Sequence, residues 1–387
     1  MIPGISRGPA ALLLATVFAT PAACVEGTQQ TEEAAINVAI LTDGLSHPWA
    51  IAFLPDGDAL VTERRGALRL LSADGTLSAP IAGVPEVDAR DQGGLLDVAL
   101  DPDFAQNRRV YLSFSEPGSR GTNSTAVARG ILNADKTALE SVEVIFSQQP
   151  KLPSTKHFGS RLVFDGEGHL FVTLGERSEA RFREQAQELD SHLGKIVRIL
   201  PDGSVPDGNP FAEQADALPE IWSYGHRNVQ AAAINPQTGV LWEIEHGPRG
   251  GDELNIVEPG KNYGWPVVSF GINYSGTPVG SGESSAPGFE PPIYQWTPVI
   301  APSGMTFYEG DRFPDWKGDL FVGGLRSTAL VRLELDGNSV AHEERILDDA
   351  GLRIRDVVEG PDGALYLLTD EDNGKVLRLS PAEAATE

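Results

Sequence analysis

Two groups of residues in this chain have types and positions that suit chemistry. The first is a set of polar residues, each standing just before a short apolar run: His47, Gln92, His157, Arg227, Asn228, Pro302, Ser303, Arg353 and Arg355. A neutral imidazole at His157 can take a proton near physiological pH. Glu176, beyond the turn and second strand-like run of the same unit, can orient that ring and stabilise its cation. Arginines 227, 353 and 355, with Arg326 after another apolar run, are costly to gather unless an anion neutralises them. Their planar forks suit carboxylates, so the set predicts a small anionic ligand. Asp356 beside Arg355 offers an internal counter-ion, the competing structural reading for that arginine. The second group is His246-Gly247-Pro248-Arg249-Gly250-Gly251-Asp252-Glu253. Its glycines and proline expose carbonyl oxygens ahead of acidic side chains, the ligands calcium prefers. Taken alone, it reads as an ordinary inter-strand loop. His192, His226 and His246 read as structural.

Residues so far apart share a site only if the fold gathers them. One phrase recurs six times: polar residues, an apolar run, a turn of Pro, Asp, Asn or Gly, then a second apolar run. Trp49–Leu54, Pro55-Asp56-Gly57 and Ala59–Thr62 give the first copy. Arg161–Phe164, Asp165-Gly166 and Leu170–Leu174 give the third, and Val357-Val358, Pro361-Asp362-Gly363 and Leu365–Thr369 the last. A third alternating run often follows, as at Ile196–Ile199 and Val376–Leu379. Copies fall roughly 45 to 80 residues apart, the range of propeller blades with loop insertions. The predicted fold is all-β, a six-bladed β-propeller of four-stranded antiparallel sheets over residues 37–387; a β-sandwich with similar hairpins is the alternative. In a propeller the first strand of each blade lines the channel, so residues just before it meet at one mouth.

The 42 glycines and 28 prolines, scattered between apolar runs, agree with many strands and turns. Against 30 Lys+Arg stand 55 Asp+Glu, a net charge of −25 that repels phosphate backbones and excludes nucleic acid as the natural partner. Residues 1–23 read as an export signal, with Arg7 before the short apolar stretch Ala10 to Thr20. The only cysteine, Cys24, is either a lipid-bearing residue or incidental beside an ordinary cleavage site, and no disulfide is available. A polar linker is expected over 24–36, with no transmembrane span beyond the N-terminus. The expected location is the periplasm or, lipid-anchored, the bacterial envelope.

The motifs Gln92-Gly93-Gly94-Leu95-Leu96-Asp97, His157-Phe158-Gly159-Ser160-Arg161-Leu162, Gly225-His226-Arg227-Asn228, Glu245-His246-Gly247-Pro248, Asn262-Tyr263-Gly264-Trp265-Pro266 and Arg353-Ile354-Arg355-Asp356 occur in that order. Together they resemble the soluble pyrroloquinoline-quinone (PQQ)-dependent dehydrogenases, in their aldose sugar dehydrogenase branch, from about Leu45 to Pro381. The resemblance implies oxidation of aldoses at the anomeric carbon, with His157 as the base and Arg227 stabilising charge on the quinone. Glu176 stands where the family usually has an aspartate. Gln92, Arg227, Asn228, Tyr274, Arg326, Arg353 and Arg355 are implied as cofactor contacts; the glucose-oxidising branch has lysine at the Arg326 position. Carbonyls of Gly247 and Pro248 are implied to hold a catalytic Ca2+, and Glu253 with the Tyr263 carbonyl a structural one. The glucose-oxidising branch has longer loops around the substrate and at its dimer contact; the resemblance implies that this chain lacks them and is a monomer with a broad sugar range, passing electrons to an acceptor the sequence does not name. Two other functions compete: a calcium-dependent lactonase, which would want acidic and amide ligands at the mouth, and a non-catalytic binding propeller.

Overall fold

The structure, a computed structural model, describes Met1 and residues 25–382. The rest of the expected export signal and the lipid-anchor reading of Cys24 fall outside the described residues. Each copy of the repeated phrase forms one antiparallel sheet, and the six sheets make a six-bladed β-propeller. The innermost strands are Pro48–Phe53, Leu95–Leu100, Gly159–Phe164, Val229–Ile234, Pro302–Phe307 and Ile354–Glu359. Each touches the innermost strand on either side, and Ile354–Glu359 touches Pro48–Phe53, so the ring closes.

Four blades have four strands; the first has three and the last five. In the first, residues after Leu71 follow the edge only loosely, through Ser78 N–H to Leu70 O (2.8 Å) and Ile81 N–H to Leu68 O (2.7 Å). Pro80 within that stretch cannot donate to a regular ladder. The last blade gains strands from the other end of the chain. Ala35–Leu45 pairs with Gly374–Pro381, and Gly27–Gln30 adds a fifth strand outside it. Residues expected as polar linker thus contain a strand, and the first and last strands of the described residues belong to one sheet.

Second strands such as Leu170–Leu174 and Leu365–Thr369 are buried throughout. This is why they read as unbroken apolar runs rather than alternating ones. The apolar clusters lie between blades: Leu162, Val172 and Val197 of the third pack on Tyr111 and Val127 of the second. Each closing contact therefore stabilises two blades at once. No helix of the described residues is long and apolar enough to cross a membrane.

All six innermost strands carry a register irregularity near their start, for example between Gly159 and Leu162 and between Ile354 and Asp356. A bulge leaves a backbone N–H off the ladder and re-aims the side chain before it. Polar groups take up those donors. Asp97 accepts Leu162 N–H at 2.7 Å from the next blade, and Asp356 accepts Ile51 N–H at 3.2 Å. Arg161 pairs with both carboxylates, at 3.0 and 3.2 Å, and lies 4.7 Å over the Trp49 ring. A single buried guanidinium thereby ties together four blades at the channel.

Candidate functional site

The entry to each innermost strand is bent into the left-handed region in several blades. His47, Asp91, His157 and Ala301 have φ of 49°, 51°, 51° and 52°. Non-glycine residues seldom adopt this conformation, so its recurrence marks a constrained backbone at the mouth. At the returning ends of the second strands stand Glu63, Ser115, Glu176, Glu245 and Asp370. Their side chains accept from these entries: Ser46 N–H to Glu63, Gly94 N–H to Ser115 Oγ (2.7 Å), and Arg227 N–H to Glu245.

In the third blade this arrangement makes a dyad. His157 Nδ1 lies 2.8 Å from Glu176 Oε1, and Glu176 Oε2 accepts Ser178 N–H at 2.9 Å. The pairing assigns the Nδ1 proton to the carboxylate side and leaves Nε2 as the free base. Both residues are buried. Burial, followed by the charge of Arg227, pushes the His157 pKa below its ordinary 6.5. Burial opposes ionisation of Glu176, yet its hydrogen bond to His157 and the charges of His157 and Arg227 hold its pKa below the usual range. The dyad is a carboxylate holding a neutral imidazole.

Gln92 joins the dyad to the mouth. Its side-chain oxygen accepts His157 N–H at 2.9 Å, and it lines a cavity of about 380 Å³ with Trp49, Arg64, His246, Arg353 and Arg355. Asn228 Oδ1 accepts Gly159 N–H at 3.1 Å. Arg227 Nη1 donates to the carbonyls of His246 and Gly247, each at 2.8 Å. The Nε atoms of Arg227 and Arg355 are buried without a partner. Unpaired buried donors beside a cavity fit an anionic ligand.

The arginine pair has a counter-ion, and it is not Asp356. Arg355 pairs with Asp370 at 2.8 Å and Arg353 with the same oxygen at 3.2 Å, while His47 Nδ1 takes the other oxygen at 2.9 Å. Asp356 serves Arg161, because the bulge at the start of its strand turns it toward the channel. Burial opposes ionisation of Asp370, but Arg355 leads the groups that hold its pKa far below the ordinary 3.8.

Arg326 and Tyr274 are exposed and stand apart from that pair. They line a second cavity of about 760 Å³ with Gly247, Pro248 and Ile272. It shares His246 and Ala301 with the first. The expected metal residues also gather. Gly247, Pro248, Glu253 and Tyr263, divided in the sequence reading between two ions, all line one small cavity of about 10 Å³, the room of one water-sized particle. An added Cβ at Gly247 would overlap the carbonyls of Gly250 and Gly251, so the loop tolerates no side chain there. Beneath it, buried His226 sits 3.2 Å from Glu245 and 3.5 Å from Glu243. Burial disfavours its charge, but the two carboxylates push the imidazole up to about 9. Glu243 Oε2 is buried and unpaired, and burial with Glu245 and Glu243 close by raises the Glu253 carboxyl well above the ordinary range. Neutral carbonyls beside surplus buried carboxylates suit a hard divalent cation.

Sequence reasoning missed Asp370, Glu245, Gln230 and Arg64. The first two carry a signal in their position: both stand at the end of the second run of their unit, as Glu176 does. Gln230, whose Oε1 accepts from Arg355 at 3.1 Å, lies inside an apolar run and carried no such signal.

The comparisons with known proteins agree over nearly the whole chain. The aldose sugar dehydrogenase YliI of Escherichia coli is 50% identical over 367 residues, 94% of this chain and 98% of that one. The crystal structure of the soluble aldose sugar dehydrogenase from Escherichia coli in its apo form superposes with a TM-score of 0.87 at 50% identity, covering 90% of this chain and 100% of that one. The PQQ-bound form of the aldose sugar dehydrogenase from Streptomyces coelicolor gives 0.74 at 29% identity, covering 89% and 98%. With the sequence profile described as Glucose / Sorbosone dehydrogenase matching residues 45–378, the chain belongs to the glucose/sorbosone dehydrogenase family.

Proposed function

We propose that this protein oxidises aldose sugars at the anomeric carbon to lactones, using PQQ and Ca2+. The observation that carries the reading is the His157–Glu176 dyad, joined through Gln92 to an arginine-lined cavity at the same end of the ring. When bound, the quinone supplies a two-electron acceptor and the cation a Lewis acid. His157 Nε2 takes the proton of the anomeric hydroxyl, and Glu176 stabilises the imidazolium that forms. Arg227, fixed by the carbonyls of His246 and Gly247, offers its unpaired Nε where negative charge develops. Arg353 and Arg355, with Gln92 and Asn228, hold the cofactor's anionic edge, and Arg326 and Tyr274 bound the adjoining cavity. The Gly247 and Pro248 carbonyls, with Glu253 and the Tyr263 carbonyl, would hold calcium.

The sugar is a small diffusible substrate, and a separate electron acceptor reoxidises the cofactor. We assign the protein to the exported fraction, periplasmic or lipid-anchored at Cys24, and working as a monomer. The test is dye reduction by purified protein given PQQ, calcium and an aldose. Wild-type protein should reduce the dye and His157→Gln should not, while retaining the quinone. No activity in the reconstituted wild type, or full activity in His157→Gln, contradicts the reading.

A further inference from the structure

Glu176 is one methylene longer than aspartate, so its reach to His157 depends on where its backbone stands. Gly175, just before it, lies against the entry of the blade; an added Cβ there would overlap His157 O. The next two residues, Arg177 and Ser178, are both left-handed, at φ 74° and 60°. Two consecutive side-chain-bearing residues in this region need something to hold them there. The resulting elbow turns Glu176 so that one oxygen meets His157 Nδ1 and the other caps Ser178 N–H.

Arg177 holds the elbow. It is 0% exposed, and its hydrogen-bond partners are all carbonyl or amide oxygens. Nε donates to Lys156 O at 3.0 Å and Nη1 to Asn123 O at 3.1 Å. Nη2 donates to Asn123 Oδ1 at 2.5 Å and Ser154 O at 2.8 Å. The guanidinium lies 4.1 Å over the Phe158 ring, and the Arg177 carbonyl accepts Ser154 Oγ–H at 2.5 Å. One side chain thus fastens the elbow that carries Glu176 to the segment Ser154–Phe158 that carries His157, and anchors both to Asn123 of the second blade. Packing a fully buried cation against neutral oxygens is expensive and would be pointless for a surface turn.

We propose that Arg177 is the positioning residue of the dyad: its buried guanidinium fixes the left-handed elbow from which a glutamate reaches His157 Nδ1. It acts through Glu176 and His157. Its kinetic consequence rests on the proposed sugar oxidation, whereas its structural consequence does not.

The direct readout is proton NMR of apo-protein labelled with ¹⁵N-histidine, following the hydrogen-bonded Nδ1–H of His157, assigned by its loss in His157→Gln. Arg177→Met should lose that signal to solvent exchange, and Arg177→Lys should recover it in part. After loading with PQQ and calcium, Arg177→Met should lose about 10²-fold in kcat, the cost of a misplaced reacting group. KM for an aldose and affinity for the quinone should stay within about threefold, because no contact to either is removed. Ser154→Ala is the milder probe, deleting the Oγ–H bond onto the elbow and the long 3.4 Å bond that Oγ accepts from Lys156 N–H; it should weaken the signal and lower kcat about fivefold. A folded Arg177→Met that keeps the Nδ1–H signal overturns the proposal. So does an Arg177→Met that fails to fold alongside a Ser154→Ala with unchanged signal and rate. Wild-type protein that shows the signal but oxidises no sugar refutes the functional reading and leaves the positioning role standing.

Discussion

Replacing Glu176 by glutamine tests the dyad with the smallest change in shape. Both carboxylate oxygens are acceptors, Oε1 for His157 Nδ1–H at 2.8 Å and Oε2 for Ser178 N–H at 2.9 Å. An amide satisfies only one. If its oxygen faces His157, its NH₂ confronts the Ser178 N–H. If its oxygen faces Ser178, its NH₂ confronts the imidazole and forces the proton onto Nε2, where the base should be. A charge-assisted hydrogen bond of this kind contributes about 1.5–3 kcal/mol, and each 1.36 kcal/mol is tenfold in rate. The lost stabilisation of the imidazolium alone therefore lowers kcat roughly 10- to 150-fold, with the tautomer conflict added. Steady-state dye reduction at saturating PQQ and calcium gives kcat and KM; quinone binding, followed by absorption, should be unchanged. A Glu176→Gln enzyme within about threefold of wild-type kcat would refute the claim that this carboxylate sets the tautomer and charge of His157.

Three further outcomes follow from the same geometry. The His157 pKa lies below its ordinary 6.5, so kcat/KM should hold its plateau as pH falls to 6.5 and decline only below it. The linked stability has the same sense: the unfolded chain binds the proton more readily, so this residue destabilises the fold as pH drops below 6.5; an acid limb above 6.5 would contradict the burial argument. Asp370→Asn leaves Arg355 buried without its partner and should cost roughly 3–5 kcal/mol in urea denaturation, with little added by half-exposed Arg353; a change below about 0.5 kcal/mol would show the pair to be dispensable. Chelation of divalent ions should lower the Tm and calcium should restore it, the increment vanishing in Glu253→Gln; a Tm indifferent to chelator and calcium would remove the cation from that cavity.

The fold was legible because the second strands are buried on both faces and the turns between strands are spelled in Gly, Pro, Asn and Asp. The six units in register predicted which residues would face one mouth, and Gln92, Arg353 and Arg355 do line one cavity. What escaped was pairing. Asp356 adjoins Arg355 in sequence, but a bulge sends it toward Arg161, while Asp370, from the next strand, crosses to the arginines. Bulges invert facing without leaving a mark in composition. The strand in the expected linker was hidden for a related reason: Gly27–Gln30 is a polar edge strand, ordered by Ala35–Val38 rather than by any apolar pattern of its own. Arg177 was invisible as well, since an arginine after a glutamate gives no hint of a backbone elbow.

The most direct test of the account is an anaerobic titration of purified protein with PQQ in the presence of calcium, followed by one addition of aldose. The account predicts a saturable change in the quinone absorption at one quinone per chain, abolished in an Arg353→Met/Arg355→Met double variant. Aldose should then convert the bound quinone to its reduced spectrum, with an equivalent amount of lactone formed. A quinone spectrum unaltered by the protein, or a bound quinone that the sugar leaves oxidised, would contradict it.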